Sequence, residues 1–294
     1  MSAVDTTVLI SPRARRRRLL WKRFLRRPVT VVSLVVILIF LGAAVFAPYV
    51  APYDPNAADL TLHAQLTHPT WHHLFGTDYL GRDIFSRIIW GARSSMQVGF
   101  LATMLSMLIA VPIGLAAGYY RGWLDTVVAR GVDVMLAFPF VIFAIGLAAI
   151  FGASLTMATI AIGIAGTPRT IRIVRGETLT LREQDFVPAA IANGAGDPTI
   201  IFRHILPNMF NTLLVVATIK IPGAIIGEAT LSYLGLGISP PGSSWGIMLH
   251  EAQSYLTRAP RLAVYPGVAI VLATLAFNLL GDGLRDILDP KTTR

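Results

Sequence analysis

Two ionisable residues interrupt an apolar stretch of this 294-residue chain: Lys220 and Glu228, in LLVVATIKIPGAIIGEATL. On a helix, at about 1.5 Å per residue, they stand about 12 Å apart along the axis. Charged groups at membrane depth face a bundle interior or a water-filled cavity. Lys220 and Glu228 can therefore line a pathway and meet a charged solute, or tie neighbouring helices together. Four histidines (His63, His68, His72 and His73) gather in one segment. Imidazole is a good nickel and zinc ligand, but the four lie in an irregular stretch, with Pro69 inside the His68/His72 spacing, so no metal site is expected. There is no cysteine, which removes disulfides, thiol chemistry and thiolate metal sites. No GxxxxGK[ST] motif is present, so the chain has no P-loop with which to hydrolyse ATP. HExxH is also missing. No catalytic residue is assigned, and no cofactor is expected on this chain.

A second constellation is polar. Residues 186–208, FVPAAIANGAGDPTIIFRHILPN, separate two apolar runs. Glu177 to Ala192 is compatible with a helix, and Gly194 and Gly196 punctuate it. Asp197-Pro198 reads as the N-cap and first turn of a short second helix, 198–205, which Pro207 stops before the next apolar run. Ala189, Ala190 and Gly194 are small enough to let a groove approach the backbone. On spacing alone, this helix-turn-helix either docks on a partner or rests on lipid headgroups.

Apolar runs must position both constellations. The chain is 54% hydrophobic and 14% charged, against ~25% charged in soluble domains. A transmembrane helix needs ~20 mostly apolar residues, and six segments qualify: 29–48, 96–118, 132–151, 155–172, 209–234 and 263–281. Nine Lys and Arg crowd residues 13–27. A basic run can bind nucleic acid, but the apolar run beginning at Val29 follows at once, and the positive-inside rule accounts for the charge. No nucleic-acid partner is expected. That first run exceeds the 7–15 residues of a signal-peptide core, so it reads as a retained span. With the N-terminus cytoplasmic, the segments assigned inside, counted with Asp133, Arg169 and Arg172 at the inner ends of their spans, carry 19 basic and 10 acidic residues, and the outer segments 49–95 and 235–262 carry five of each. Both termini are then cytoplasmic.

Spans two to six each hold a proline: Pro112, Pro139, Pro168, Pro222 and Pro266. The expectation is a five-helix kinked core with one straight peripheral helix. The divisions expected are a basic tail 1–28, a first span 29–48, an external cap 49–95, a core 96–284 and a C-terminal tail 285–294. The core contains the cytoplasmic loop 173–208 and the external loop 235–262. Gly114/Gly118 and Gly223/Gly227 are GxxxG spacings that permit close helix contact. Asp133 has the placement of a helix-N-terminal carboxylate, and Arg285 and Asp289 have i,i+4 spacing.

Residues 186–208 resemble the "EAA" loop of bacterial ABC-importer permeases, with Pro188 where the motif usually has Glu. HLFGTDYLGRDIFSRIIWGARSSMQVG (73–99), GEATLSYLGLGISPPGSSWGIML (227–249) and GDGLRDILDP (281–290) resemble dipeptide, oligopeptide and nickel importer permeases. The basic start with APYVAPYDPN resembles their "C" type. Together these cover nearly the whole chain. The resemblance implies an all-α type I importer permease in the bacterial plasma membrane. It implies a homologous "B"-type permease, two ABC ATPase subunits carrying the ATP and Mg, and an extracytoplasmic solute-binding protein as partners, with lipid around them. It assigns ATPase coupling to Ala189, Ala190, Gly194, Asp197, Arg203, Leu206 and Pro207. Lys220 and Glu228 remain candidates for the pathway wall. The cargo implied is di- or oligopeptide, with nickel chelates, glutathione or another small solute as alternatives. An ATPase-independent secondary transporter is the remote alternative, and no internal repeat favours it.

Overall fold

The computed structural model describes residues 24–60 and 66–288. The ordered chain is helical: α1 (Pro28–Val45), α2 (Ala47–Val50), α3 (Ile84–Tyr120), α4 (Gly122–Leu136), α5 (Phe140–Phe151), α6 (Leu155–Arg182), α7 (Phe186–Ala192), α8 (Asp197–Thr199), α9 (Leu206–Tyr233), α10 (Trp245–Ala252) and α11 (Arg261–Leu288). A π-helical stretch, Ile200–Ile205, joins α8 to α9. Short polar side chains begin three of them. Asp83 accepts from the Ser86 amide at 2.7 Å, Ser154 from Met157 at 3.1 Å and Ser244 from Ile247 at 3.3 Å, each satisfying an amide with no partner inside the helix.

Small residues set how α3 and α6 pack. A Cβ at Gly114 would fall 2.7 Å from Val174 Cβ, one at Gly118 2.7 Å from Thr178 Cβ, and one at Gly163 3.1 Å from the Ala102 carbonyl. The contacts 102–163, 114–174 and 118–178 advance together, so α3 and α6 run parallel. The chain between them must therefore traverse the bundle once, and α4 with α5 does so as a broken span bent by 90°. The span expected at 132–151, kinked at Pro139, is corrected to a broken one that begins at Gly122. Pro139 occupies the N-cap of α5 with φ −54° and ψ 136°, an extended conformation at which the helix breaks rather than kinks. Asp133 then lies inside α4, where it accepts from Arg172 NH2 at 2.6 Å, and not at a helix start.

α9 runs antiparallel to both partners. Ser95 meets Glu228, and Ser106 meets Lys220. Pro112, Pro168, Pro222 and Pro266 lie inside their helices. Four of the described helical stretches are long and apolar enough to cross a membrane: α1, α3, α8 through α9, and α11. α6 falls short because Arg169, Arg172 and Arg175 enter it, yet it lies along α3 and fills the sixth place. α3 starts twelve residues earlier than the span expected at 96, so the end of the expected cap is helix.

α1 lies on α3 and α11. Only 22% of its span is buried, against 39–44% for the other three stretches, so it is peripheral. At its start Arg27 reaches Asp286 at 2.5 Å, and Thr30 fills the space above Gly283. The beginning of α1 and the end of α11 therefore share one end of the bundle. That end also carries residues 183–205 and is called here the hairpin end. Residues 46–60, 66–83 and 234–260 form the opposite, cap end. Residues 1–23 of the basic tail, His63 and Asp289 lie outside the described residues.

Candidate functional site: a hairpin bolted to the core

α7 ends in a left-handed turn. Gly194 has φ +80°, its amide donates to the Ile191 carbonyl at 2.9 Å, and the Ala195 amide donates to Ala190 at 3.0 Å. This pair of bonds is the Schellman closure, which needs a residue free to take positive φ. α8 follows with Pro198 in its first turn. The expected N-cap is corrected, because Gly196 occupies that position and Asp197 is the first helical residue. Asp197 Oδ1 instead accepts a hydrogen bond from Tyr119 Oη at 2.8 Å. Nor does Pro207 stop a helix. It stands at the second residue of α9, just after the π-helical stretch, and helix runs from Asp197 to Tyr233.

One face of the hairpin belongs to the core. Val187, Ala190, Ile200, Ile201 and Ile205 bury against Leu115, Tyr119 and Val174 of α3 and α6. The Arg182 guanidinium lies 5.4 Å from the centre of the Tyr119 ring. Phe186 and His204 stack with centroids 6.5 Å apart, closing α7 on the lead-in to α9. A packed knob of this kind moves with its helices.

The other face is bare. Ala189, Gly194, Arg203 and Pro207 are exposed. Ile191 and Phe202 are 56% and 65% exposed, and a Cβ on Gly194 would meet nothing within 4 Å. Of the seven hairpin residues singled out from sequence, Ala190 turns inward and Leu206 is half-buried against the same cluster. Asp197 is exposed as a residue but engaged through its side chain. Sequence reasoning missed Ile191, Phe202 and the Tyr119 anchor. The apolar residues within a polar loop were the available signal for the first two.

Lys220 acts as a clamp. Its Nζ donates to Ser106 Oγ at 2.5 Å, the Gly166 carbonyl at 2.7 Å and Thr170 Oγ1 at 2.5 Å. All three ammonium donors are used, and α3, α6 and α9 meet at one point. Glu228 is 0% exposed. Its Oε2 accepts from Ser95 at 2.8 Å and its Oε1 from Ser232 at 2.7 Å. A carboxylate so enclosed presents no surface to a passing solute, and of the two readings left open by the sequence, pathway wall or helix tie, the contacts of both residues are ties between helices.

At the cap end four charges are buried together. Arg82 Nε and Arg87 NH1 donate to Asp78 Oδ2 at 2.6 and 2.7 Å, and Arg82 NH2 and Arg87 NH1 donate to Glu251 Oε2 at 2.9 and 2.6 Å. Burial alone would lower the Arg82 guanidinium, but the Asp78 and Glu251 carboxylates outweigh it and hold the group above its usual value. Burial, then the Glu251 charge, raises the Tyr79 hydroxyl. The tetrad ties the turn before α3 to α10. His73 Nδ1 lies 2.9 Å from Asp83 Oδ1, and among the described residues no group of His, Asp and Glu is disposed to hold a metal.

Parallel α3 and α6, the broken return span and the hairpin define a membrane component of a transport system. The chain belongs to the family of inner membrane components of binding-protein-dependent transport systems, matched over residues 110–294, and residues 16–69 match the N-terminal TM domain of oligopeptide transport permease C. It is thus an ABC importer permease of the peptide and glutathione group, of the C type. It is 44% identical over 272 residues to the glutathione transport system permease protein GsiD of Pectobacterium atrosepticum, covering 92% of this chain and 90% of that one. An Escherichia coli protein of the same name is also 44% identical, over 92% of this chain and 89% of its own. The fold matches inward-facing MetNI methionine ABC transporter structures. In the native crystal form the TM-score is 0.60 at 18% identity, covering 70% of this chain and 98% of that one. In the selenomethionine-soak form the TM-score is 0.58 at 19% identity, with 69% and 97% covered.

Proposed function

We propose that this chain forms half of a translocation pathway with a homologous permease, and that two ATPase subunits engage the bare face of the hairpin. A solute-binding protein delivers cargo at the cap end, which is external, and the hairpin end is cytoplasmic. The observation that carries the reading is the two-sidedness of residues 186–207. The inner face is locked to α3 and α6, while Ile191, Phe202 and the open space over Gly194 face outward. A partner gripping that face moves the transmembrane helices as one body. ATP and Mg reside on the partner, and the basic N-terminal tail supports the orientation.

Di- and oligopeptides are the cargo proposed, supported by the match to an oligopeptide permease domain. Glutathione is the second reading, supported by relatives whose names carry it. It is itself a tripeptide with one γ linkage, and the same machinery serves either.

Gly194→Trp is the test. Within the chain the new side chain meets open space, so it costs no more than the strain that Gly194→Ala also bears. The expected result is abolished ATP-driven uptake with normal membrane insertion for the tryptophan variant, and partial uptake for the alanine variant. Normal uptake by Gly194→Trp would remove the docking role.

A further inference from the structure

The cap end holds a polar cleft that neither the hairpin nor the helix clamps explain. Its volume is about 820 Å³, within the range of small-molecule sites, ~300–1,000 Å³. α3 supplies Trp90, Arg93, Ser94 and Gln97, the loop after α2 supplies Asp54, and Ser243 comes from the loop before α10. The Arg93 guanidinium lies 5.6 Å from the centre of the Trp90 ring, so the indole steadies the side chain while its N–H groups stay free. Asp54 Oδ1 accepts from the Asn56 amide at 2.8 Å, which fixes that carboxylate. Ser94 Oγ donates to the Ser243 carbonyl at 2.8 Å and joins two of the walls.

The two charges are held apart. Arg93 and Asp54 are both exposed and form no ion pair, with each other or with another described residue. Elsewhere at this end Arg82 and Arg87 are engaged in the buried tetrad, and Arg261 on the Leu66 and Thr67 carbonyls at 2.7 and 3.0 Å. A cleft with one steadied guanidinium and one steadied carboxylate, with amide and hydroxyl groups between, is complementary to a zwitterion. The guanidinium takes a carboxylate through paired N–H bonds, and the aspartate takes an ammonium.

We propose that this cleft is a receiving site for a small zwitterionic solute carrying a free carboxylate and a free ammonium. Arg93 binds the carboxylate and Asp54 the ammonium as the solute enters the bundle. The proposal rests on the importer reading above and narrows its substrate class. Unblocked peptides and glutathione satisfy the requirement, whereas a nickel chelate without an ammonium does not.

The test uses the complete transporter in proteoliposomes with its solute-binding protein, with trialanine and glutathione as probes. Uptake and ATP hydrolysis are measured together. Arg93→Gln and Asp54→Asn are each expected to lower the number of solute molecules taken up per ATP about 10-fold, the order expected for one charge-assisted hydrogen bond. ATPase stimulation by the loaded binding protein should stay at the wild-type level, and Arg93→Lys should recover much of the ratio. Unchanged uptake per ATP in both variants overturns the proposal. So does a parallel fall in uptake and ATPase stimulation at constant ratio, which would make the cleft a seat for the binding protein. Wild-type transporter that takes up neither probe removes the peptide reading itself, and the proposal with it.

Discussion

Tyr119 and Asp197 are joined by a 2.8 Å hydrogen bond between the last turn of α3 and the first residue of α8. The tyrosine is 6% exposed, so its hydroxyl has few alternatives to this acceptor. The bond makes the hairpin continuous with the transmembrane core. Asp197→Ala leaves a buried donor unpaired and should cost about 1–3 kcal/mol, whereas Tyr119→Phe removes donor and leaves an exposed acceptor, at about 1 kcal/mol. Thermal unfolding of the purified transporter checks the order, and the double variant should be less destabilised than the two single changes added together.

The two GxxxG pairs should behave differently. Gly118→Leu forces a side chain into Thr178 and the Arg175 carbonyl, at 2.7 and 2.8 Å from its own Cβ. Helices closed on small residues cannot absorb that, and loss of folded protein in membranes is expected. Gly223→Ala meets nothing within 4 Å and should express and transport normally. Detergent-extracted yield by size-exclusion chromatography separates the outcomes.

Lys220→Met removes the clamp and leaves the Gly166 carbonyl and the Ser106 and Thr170 hydroxyls short of a donor. A fall of about 1–3 kcal/mol in resistance to unfolding is expected. Lys220→Arg should not restore it, since a planar fork does not reproduce three bonds radiating from one ammonium. Titrating each variant with a denaturing detergent reads the change. Full stability combined with altered solute preference would return Lys220 to the pathway wall.

Glu251→Gln halves the negative charge facing Arg82 and Arg87. Breaking a buried ion network from one side costs about 3–5 kcal/mol, so α10 should come loose from the turn before α3. Limited proteolysis near residues 245–255 should accelerate in this variant and not in His68→Ala, whose side chain is at the surface.

Span number, membrane class, hairpin position and family all follow from the order of residues, because the bilayer demands long apolar runs and turns demand glycine and proline. Gly194 is the clearest case: it punctuates a helix-compatible run in the sequence, and the helix ends there at φ +80°. Tertiary structure alone decided the partners. Nothing local distinguishes Gly114 and Gly118, which close on α6, from Gly223, which closes on nothing. Pro139 breaks its span by 90° where Pro112 and Pro168 remain inside continuous helices, since α4 is held by the Asp133–Arg172 pair and by Asp125–Arg175. Lys220 and Glu228 kept two readings open from sequence, pathway wall or helix tie, because hydropathy registers a charge without its neighbours. The Ser95, Ser106 and Thr170 hydroxyls that hold them lie fifty or more residues away along the chain. Such pairings are settled by which helices lie side by side.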